Sequence, residues 1–144
     1  MTNDQSLGWP QLNVRELMGP TAVTIQPESS LSEVALTLAE YDISGLPVVD
    51  RGGAVIGVIS QTDIVRLRGG SMPPSGWHGV LVRDLMTHPA ITVPASASLT
   101  EAARLMTEHH VHRLVVIAER DGGPIGVISE SDVVREIAAL TEEE

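Results

Sequence analysis

Gly57-Val58-Ile59-Ser60-Gln61-Thr62-Asp63 returns later in the chain as Gly126-Val127-Ile128-Ser129-Glu130-Ser131-Asp132. In each copy an apolar run ends at a hydroxyl residue and an acid follows three positions on, the pattern of a strand running directly into a helix start. Working outward, Ile56 matches Ile125, and Val65-Arg66 matches Val134-Arg135, all 69 positions apart. Nearer the N-terminus the offset is 68. Val14-Arg15-Glu16-Leu17-Met18 pairs with Val82-Arg83-Asp84-Leu85-Met86, Ala22-Val23-Thr24-Ile25 with Ala90-Ile91-Thr92-Val93, and Ser30-Leu31-Ser32-Glu33 with Ser98-Leu99-Thr100-Glu101. A single inserted residue reconciles the two offsets, so the chain is an internal repeat and each element is to be read twice.

Each copy reads as a short helical turn followed by β-α-β-β-α, which sets an α/β fold class. The first strand is expected at Ala22 to Ile25, the second and third at Leu46 to Asp50 and Ala54 to Ser60. Leu31, Val34, Ala35 and Leu38 fall at i, i+3, i+4 and i+7, and Leu99, Ala102, Ala103 and Met106 repeat that stripe. Ser30 with Glu33, and Ser98 with Glu101, are capping boxes that place both helix starts. Arg51-Gly52-Gly53 and Asp121-Gly122-Gly123 supply glycine turns, so the strands flanking them are expected to pair antiparallel. Gly69 to Gly79 breaks every periodicity and reads as a linker. The division is an N-terminal arm over 1–13, a first motif over 14–68, a linker over 69–79, a second motif over 80–140 and an acidic tail over 141–144. Units this small enclose little core alone, so the halves are expected to pack about a pseudo-twofold axis.

The chain has 144 residues, 42% of them hydrophobic and only 2% aromatic, with a mean hydropathy of +0.12 on the full chain. That composition folds, and its core must be aliphatic. A formal net charge of -10 opposes broad binding to nucleic acid or to an anionic membrane, both of which need a positive field. An anionic ligand must therefore be held by a local cluster. With no cysteine there is no disulfide, thiol nucleophile or thiolate metal site. The first eight residues do not resemble a signal peptide, and no apolar run reaches the length of a membrane span, so a cytoplasmic location is expected.

The Ser-x-x-Asp segments carry the chemistry. Hydroxyls and free N–H groups at a helix start suit an anion, and a carboxylate there can accept hydrogen bonds from a ribose diol. The same spacing also makes a capping box. The first helix of each half uses Glu at the third position and the second uses Asp, a difference that capping alone does not explain; both readings stand. His109-His110-x-His112 raises a metal reading, but no carboxylate or thiol stands at a recognised ligand spacing, and no metal site is assigned. No nucleophile has a base beside it, so no catalytic residue and no enzymatic reaction is expected.

Both halves resemble CBS motifs, and the chain from Val14 to Leu140 resembles a CBS pair, or Bateman module. The resemblance rests on the repeated Gly-hydrophobic-hydrophobic-Ser-x-x-Asp segment, on Ile43-Ser44-Gly45-Leu46-Pro47-Val48-Val49-Asp50, and on Val111-His112-Arg113-Leu114-Val115-Val116-Ile117. The last is similar to a repeat of the gamma regulatory subunit of AMP-activated protein kinase. The resemblance implies tandem motifs binding adenosine-containing ligands in the clefts between them. Asp63 and Asp132 would take ribose hydroxyls; Ser60, Thr62, Ser129 and Ser131 would lie near ribose or phosphate. His112 and Arg113 would hold phosphate, while Ala22, Ile43, Ala90 and Val111 would line adenine pockets. The first half has Ser44 and Gly45 where the second has His112 and Arg113, so the two sites should differ. No cofactor is required, and an adenine nucleotide would act as regulatory ligand. A homodimer through exposed helix faces and an unidentified effector protein on another chain are the implied partners. The alternatives are a ligand-independent interaction scaffold and, more remotely, a metal-dependent enzyme using the histidines.

Overall fold

The computed structural model describes residues 11–18, 23–68 and 79–142. The chain divides into two compact units. One is Val23–Ala90. The other joins Ile91–Glu144 to the leading part of the chain, described over residues 11–18.

In the Val23–Ala90 unit, helix α1 (Leu31–Tyr41) starts at Ser30, whose hydroxyl accepts the Glu33 N–H while the Glu33 carboxylate accepts the Ser30 N–H. Leu31, Val34 and Leu38 are buried as the stripe predicts, whereas Ala35 is exposed. The helix ends at Asp42 in the left-handed region (φ 53°), and the chain turns into β1 (Gly45–Val49), buried along its whole length. β2 (Val55–Ser60) pairs with β1 antiparallel. Gly53 between them takes φ 88°, a conformation glycine adopts without steric cost. α2 (Gln61–Arg68) follows β2 with no intervening loop, and the short α3 (Val82–Leu85) belongs to this same unit. The expected first strand shrinks here to one parallel bridge, Ile25 to Val48. Of the expected strand's described residues, Val23 to Ile25, only Ile25 exchanges backbone hydrogen bonds with β1, through Pro47 and Val49; Ala22 lies outside the described residues. The core gathers Leu31, Val34, Leu46, Val48, Ile59 and Val82.

In the second unit the corresponding strand does form. β3 (Thr92–Pro94) runs parallel to β4 (Arg113–Ile117), and β4 pairs antiparallel with β5 (Pro124–Ser129). Between β3 and β4 lies α4 (Leu99–His109), and α5 (Glu130–Glu142) closes the unit. Gly122 repeats the positive φ of the first hairpin, at 73°. The expected capping box at Ser98 is only half made. The Ser98 hydroxyl accepts the Glu101 N–H, but the Glu101 carboxylate binds Arg104 instead of reaching back. α5 continues through Thr141, whose hydroxyl donates to the Ile137 carbonyl, to Glu142, because no glycine or proline stops it earlier. The core gathers Val14, Val93, Leu99, Leu114, Val116 and Ile128.

The units do not coincide with contiguous repeats. The 3-10 turn Val14–Glu16, capped reciprocally by Asn13 and Glu16, is part of the Ile91–Glu144 unit: Val14 N–H donates to Ala97 and Leu99 N–H to Leu12. The segment from Val80 into α3 makes the matching bonds in the other unit, Val82 N–H to Ser29 and Leu31 N–H to Val80. Each repeat's leading turn is thus built into the unit that holds the other repeat's sheet. No helix among the described residues is long and apolar enough to cross a membrane.

Candidate functional site

Both Ser-x-x-Asp segments sit at a strand-to-helix junction. Ser60 ends β2 and Ser129 ends β5, with 3% and 5% of their surface exposed. The Asp63 Oδ2 accepts the Ser60 N–H at 2.8 Å and its hydroxyl at 3.1 Å, and the Asp63 N–H reaches the Ser60 hydroxyl at 3.4 Å. The second junction repeats this at 2.8, 3.1 and 3.3 Å. The capping geometry is therefore real in both halves, and in each it occupies one carboxylate oxygen. What remains differs. Asp63 Oδ1 accepts no hydrogen bond from a described residue, while Asp132 Oδ1 accepts one from Arg135 Nη1 at 3.1 Å.

A further bond fixes each junction to the strand beside it. The Gln61 N–H donates to the Ser44 carbonyl and the Glu130 N–H to the His112 carbonyl. The register places Gly45 opposite Ser60 and Arg113 opposite Ser129. Within the second unit, His112 and Arg113 thus stand at the same sheet end as Ser129 and Asp132, and the equivalent corner of the first unit carries only Ser44 and Gly45. His112 Nδ1 lies 3.0 Å from Glu130 Oε1, both side chains more than half exposed. Thr62 and Ser131 are exposed on the first turns of α2 and α5.

Ile43 and Val111 are half-buried, each packed against its unit's core. Ile43 lines a hollow of about 320 Å³ with Leu38, Gln61, Ile64 and Val65, a set that does not include Ser60 or Asp63. Ala90 is half-buried at the end of its unit, and Ala22 lies outside the described residues.

The histidine run has structural work. His109 is the last residue of α4, His110 is its left-handed C-cap (φ 56°), and His112 pairs with Glu130. Among the described residues no group of three or more His, Cys, Asp or Glu is arranged to hold a metal ion. Two contributors escape a reading of motifs alone, Glu130 and Arg135. Arg135, three residues after Asp132 on a helix, carries a signal that spacing could have revealed; Glu130 meets His112 only through the fold.

The CBS domain family model matches residues 14–70 and 82–139. Hypoxic response protein 1 of Mycobacterium tuberculosis is 30% identical over 125 residues, covering 85% of this chain and 83% of that protein. The chain spans only 21% of the inosine-5'-monophosphate dehydrogenase of Korarchaeum cryptofilum (32% identical) and 56% of the chloroplastic CBS domain-containing protein CBSX2 of Arabidopsis thaliana (31% identical). Among solved structures, CBSX2 in complex with AMP superposes with a TM-score of 0.65 at 32% identity, over 92% of this chain and 98% of that one. The CBS domain of a bacterial CNNM/CorC family Mg2+ transporter in complex with ATP gives 0.69 at 26% identity, over 88% and 87%.

Proposed function

The chain belongs to the CBS-domain family, and on that premise we propose that it is a regulatory module that binds an adenosine-containing ligand of the AMP, ADP or ATP class and passes the change to a partner protein. The observation that carries this reading is the twinned junction. Two buried serines each hold an aspartate by one oxygen only, and at Asp63 the second oxygen is left for a ribose diol. Two relatives whose structures contain AMP and ATP support the ligand class.

Asp63 and Asp132 take ribose hydroxyls, with Ser60, Thr62, Ser129 and Ser131 near ribose or phosphate. Ile43 and Val111, with Ala22 and Ala90, serve adenine. His112 and Arg113 hold phosphate, since a guanidinium fork matches its oxygens. No charge stands at Ser44 and Gly45, so phosphate discrimination belongs to the second motif. The two motifs over 14–68 and 80–140 respond by population shift, the ligand stabilising whichever arrangement it binds better. The module carries out no reaction of its own. It forms a homodimer through its helix faces, where Val65 and Val134, equivalent in the two repeats, are 67% and 64% exposed.

The experiment is a thermal-shift screen of nucleotide-free protein against adenosine, AMP, ADP, ATP, NAD and S-adenosylmethionine. A ligand at a hundredfold excess over its Kd adds about 2.7 kcal/mol, several degrees in Tm for a chain of this size. Arg113→Ala is expected to weaken AMP much more than adenosine; equal weakening removes phosphate recognition from the reading. A second reading, a ligand-independent scaffold, is favoured by the completed caps at both junctions. It gains if no compound shifts Tm at millimolar concentration.

A further inference from the structure

In α4, Arg104 lies between two glutamates. Its Nε and Nη2 donate to Glu101 at 3.1 and 2.5 Å, and its Nη1 donates to Glu108. The repeat offset places Glu33, Leu36 and Glu40 of α1 on Glu101, Arg104 and Glu108. Both carboxylates are kept in α1 and the cation between them is replaced by leucine. There the surface holds a hollow of about 440 Å³ lined by Thr24, Gln26, Glu33, Leu36, Glu40 and Tyr41. Leu36 is 68% exposed and Tyr41 48%. Glu33 uses Oε1 to cap Ser30; its other oxygen, and both of Glu40, bind no described residue.

We propose that this hollow takes an arginine side chain from a basic segment of a partner protein, its guanidinium bridging Glu33 and Glu40 as Arg104 bridges Glu101 and Glu108. The second repeat shows that carboxylates at this spacing on this helix close around one guanidinium. A planar fork has donors on both edges and reaches two carboxylates at once, which a lysine ammonium does less well. The incoming stem lies on Leu36, and Tyr41 offers a ring face to the cation. The chain's net charge of -10 favours a basic partner at long range.

The test titrates isotope-labelled, full-length protein with the peptide Gly-Leu-Arg-Arg-Leu-Gly and with versions carrying citrulline or lysine in place of arginine. The arginine peptide is expected to shift amides over 24–26 and 33–41, with citrulline at least tenfold weaker and lysine several-fold weaker. Leu36→Arg recreates the closed arrangement of α4 and should weaken binding at least tenfold. Ala35→Arg adds the same charge at a position not facing either glutamate, and should leave binding within twofold. Arg104→Leu should open an equivalent site on α4 and raise the stoichiometry from one to two. Absence of binding by the wild type, equal binding by arginine and citrulline peptides, or indifference to Leu36→Arg overturns the proposal. Loss of self-association in Leu36→Arg also overturns it, because the arginine then comes from a second copy of this chain.

Discussion

Asp63 has two jobs that one pair of substitutions separates. Its Oδ2 accepts the Ser60 N–H and hydroxyl at 2.8 and 3.1 Å, and its Oδ1 is the oxygen proposed for ribose. Asp63→Ala removes both oxygens. The Ser60 N–H, in a residue 3% exposed, then loses its acceptor, and an unsatisfied buried donor costs about 1–3 kcal/mol. For a chain of this size that is a fall in Tm of roughly 3–10 °C. Asp63→Asn keeps one acceptor oxygen, which the cap takes, and replaces the other with an amide that only donates. Its melting temperature is expected within about 2 °C of wild type, while its adenosine affinity falls roughly tenfold or more, the worth of a charge-assisted hydrogen bond. Thermal melts without ligand and calorimetric titration with adenosine read the two effects apart. Unchanged adenosine binding by the Asn variant, in protein whose wild type binds, would refute the ribose role. A wild-type melt for the Ala variant would refute the energetics of the cap.

Gly57→Ala places a Cβ 2.8 Å from the Thr87 carbonyl and 3.0 Å from Met86 Sδ. The sulfur can swing aside, but the carbonyl is held by the Val58 N–H, so a loss of about 1–3 kcal/mol in chemical denaturation is expected. Leu99→Ala, at a fully buried position, should cost about 2–5 kcal/mol in the same assay. Glu119 accepts the Ser96 hydroxyl and amide, with Arg15 adding attraction, and its pKa is lowered in the folded chain. A depressed carboxylate pKa stabilises the fold above the unfolded value and loses that contribution as pH falls below it. Glu119→Gln should therefore lower stability in the neutral region and flatten the acid limb of a stability–pH curve below the ordinary value of 4.5, the variant and wild-type curves converging at low pH.

The repeat, the two hairpins, the Ser30 cap and the helix stripes apart from Ala35 were legible because local chemistry decides them. The Ser98 cap was half legible, since Ser98 and Glu101 stand at capping spacing while a competing guanidinium stands one turn further on. The strand expected at Ala22 to Ile25 has a pattern that matches Ala90 to Val93, yet among the described residues only the later copy extends beyond a single bridge. In the candidate site, the junction serines and aspartates followed from spacing. The His112–Glu130 pair did not, because it joins residues far apart in sequence whose meeting depends on β4 lying beside β5. The packing of the leading turns was illegible for a different reason. Val14-Arg15-Glu16-Leu17-Met18 and Val82-Arg83-Asp84-Leu85-Met86 offer nearly the same apolar face, so either repeat could accept either turn.

That reciprocal seating changes what counts as a separable piece of this chain. A fragment cut at the motif boundaries, 14–68, carries a turn whose hydrogen-bond partners, Ala95 and Ala97, lie elsewhere, and omits the segment from Val80 into α3 that binds Ser29 and Leu31. Among the described residues, the backbone hydrogen bonds of Ile25, Ser29, Leu31, Val58 and Val82 close within the interval Val23–Ala90, which is one repeat period long yet starts and stops inside two different motifs. Duplication copied one phase of the sequence, and folding adopted another. Deletion series and split reporters aimed at one half of the molecule should follow the second phase, because a cut made in the first leaves each half missing a turn that it needs.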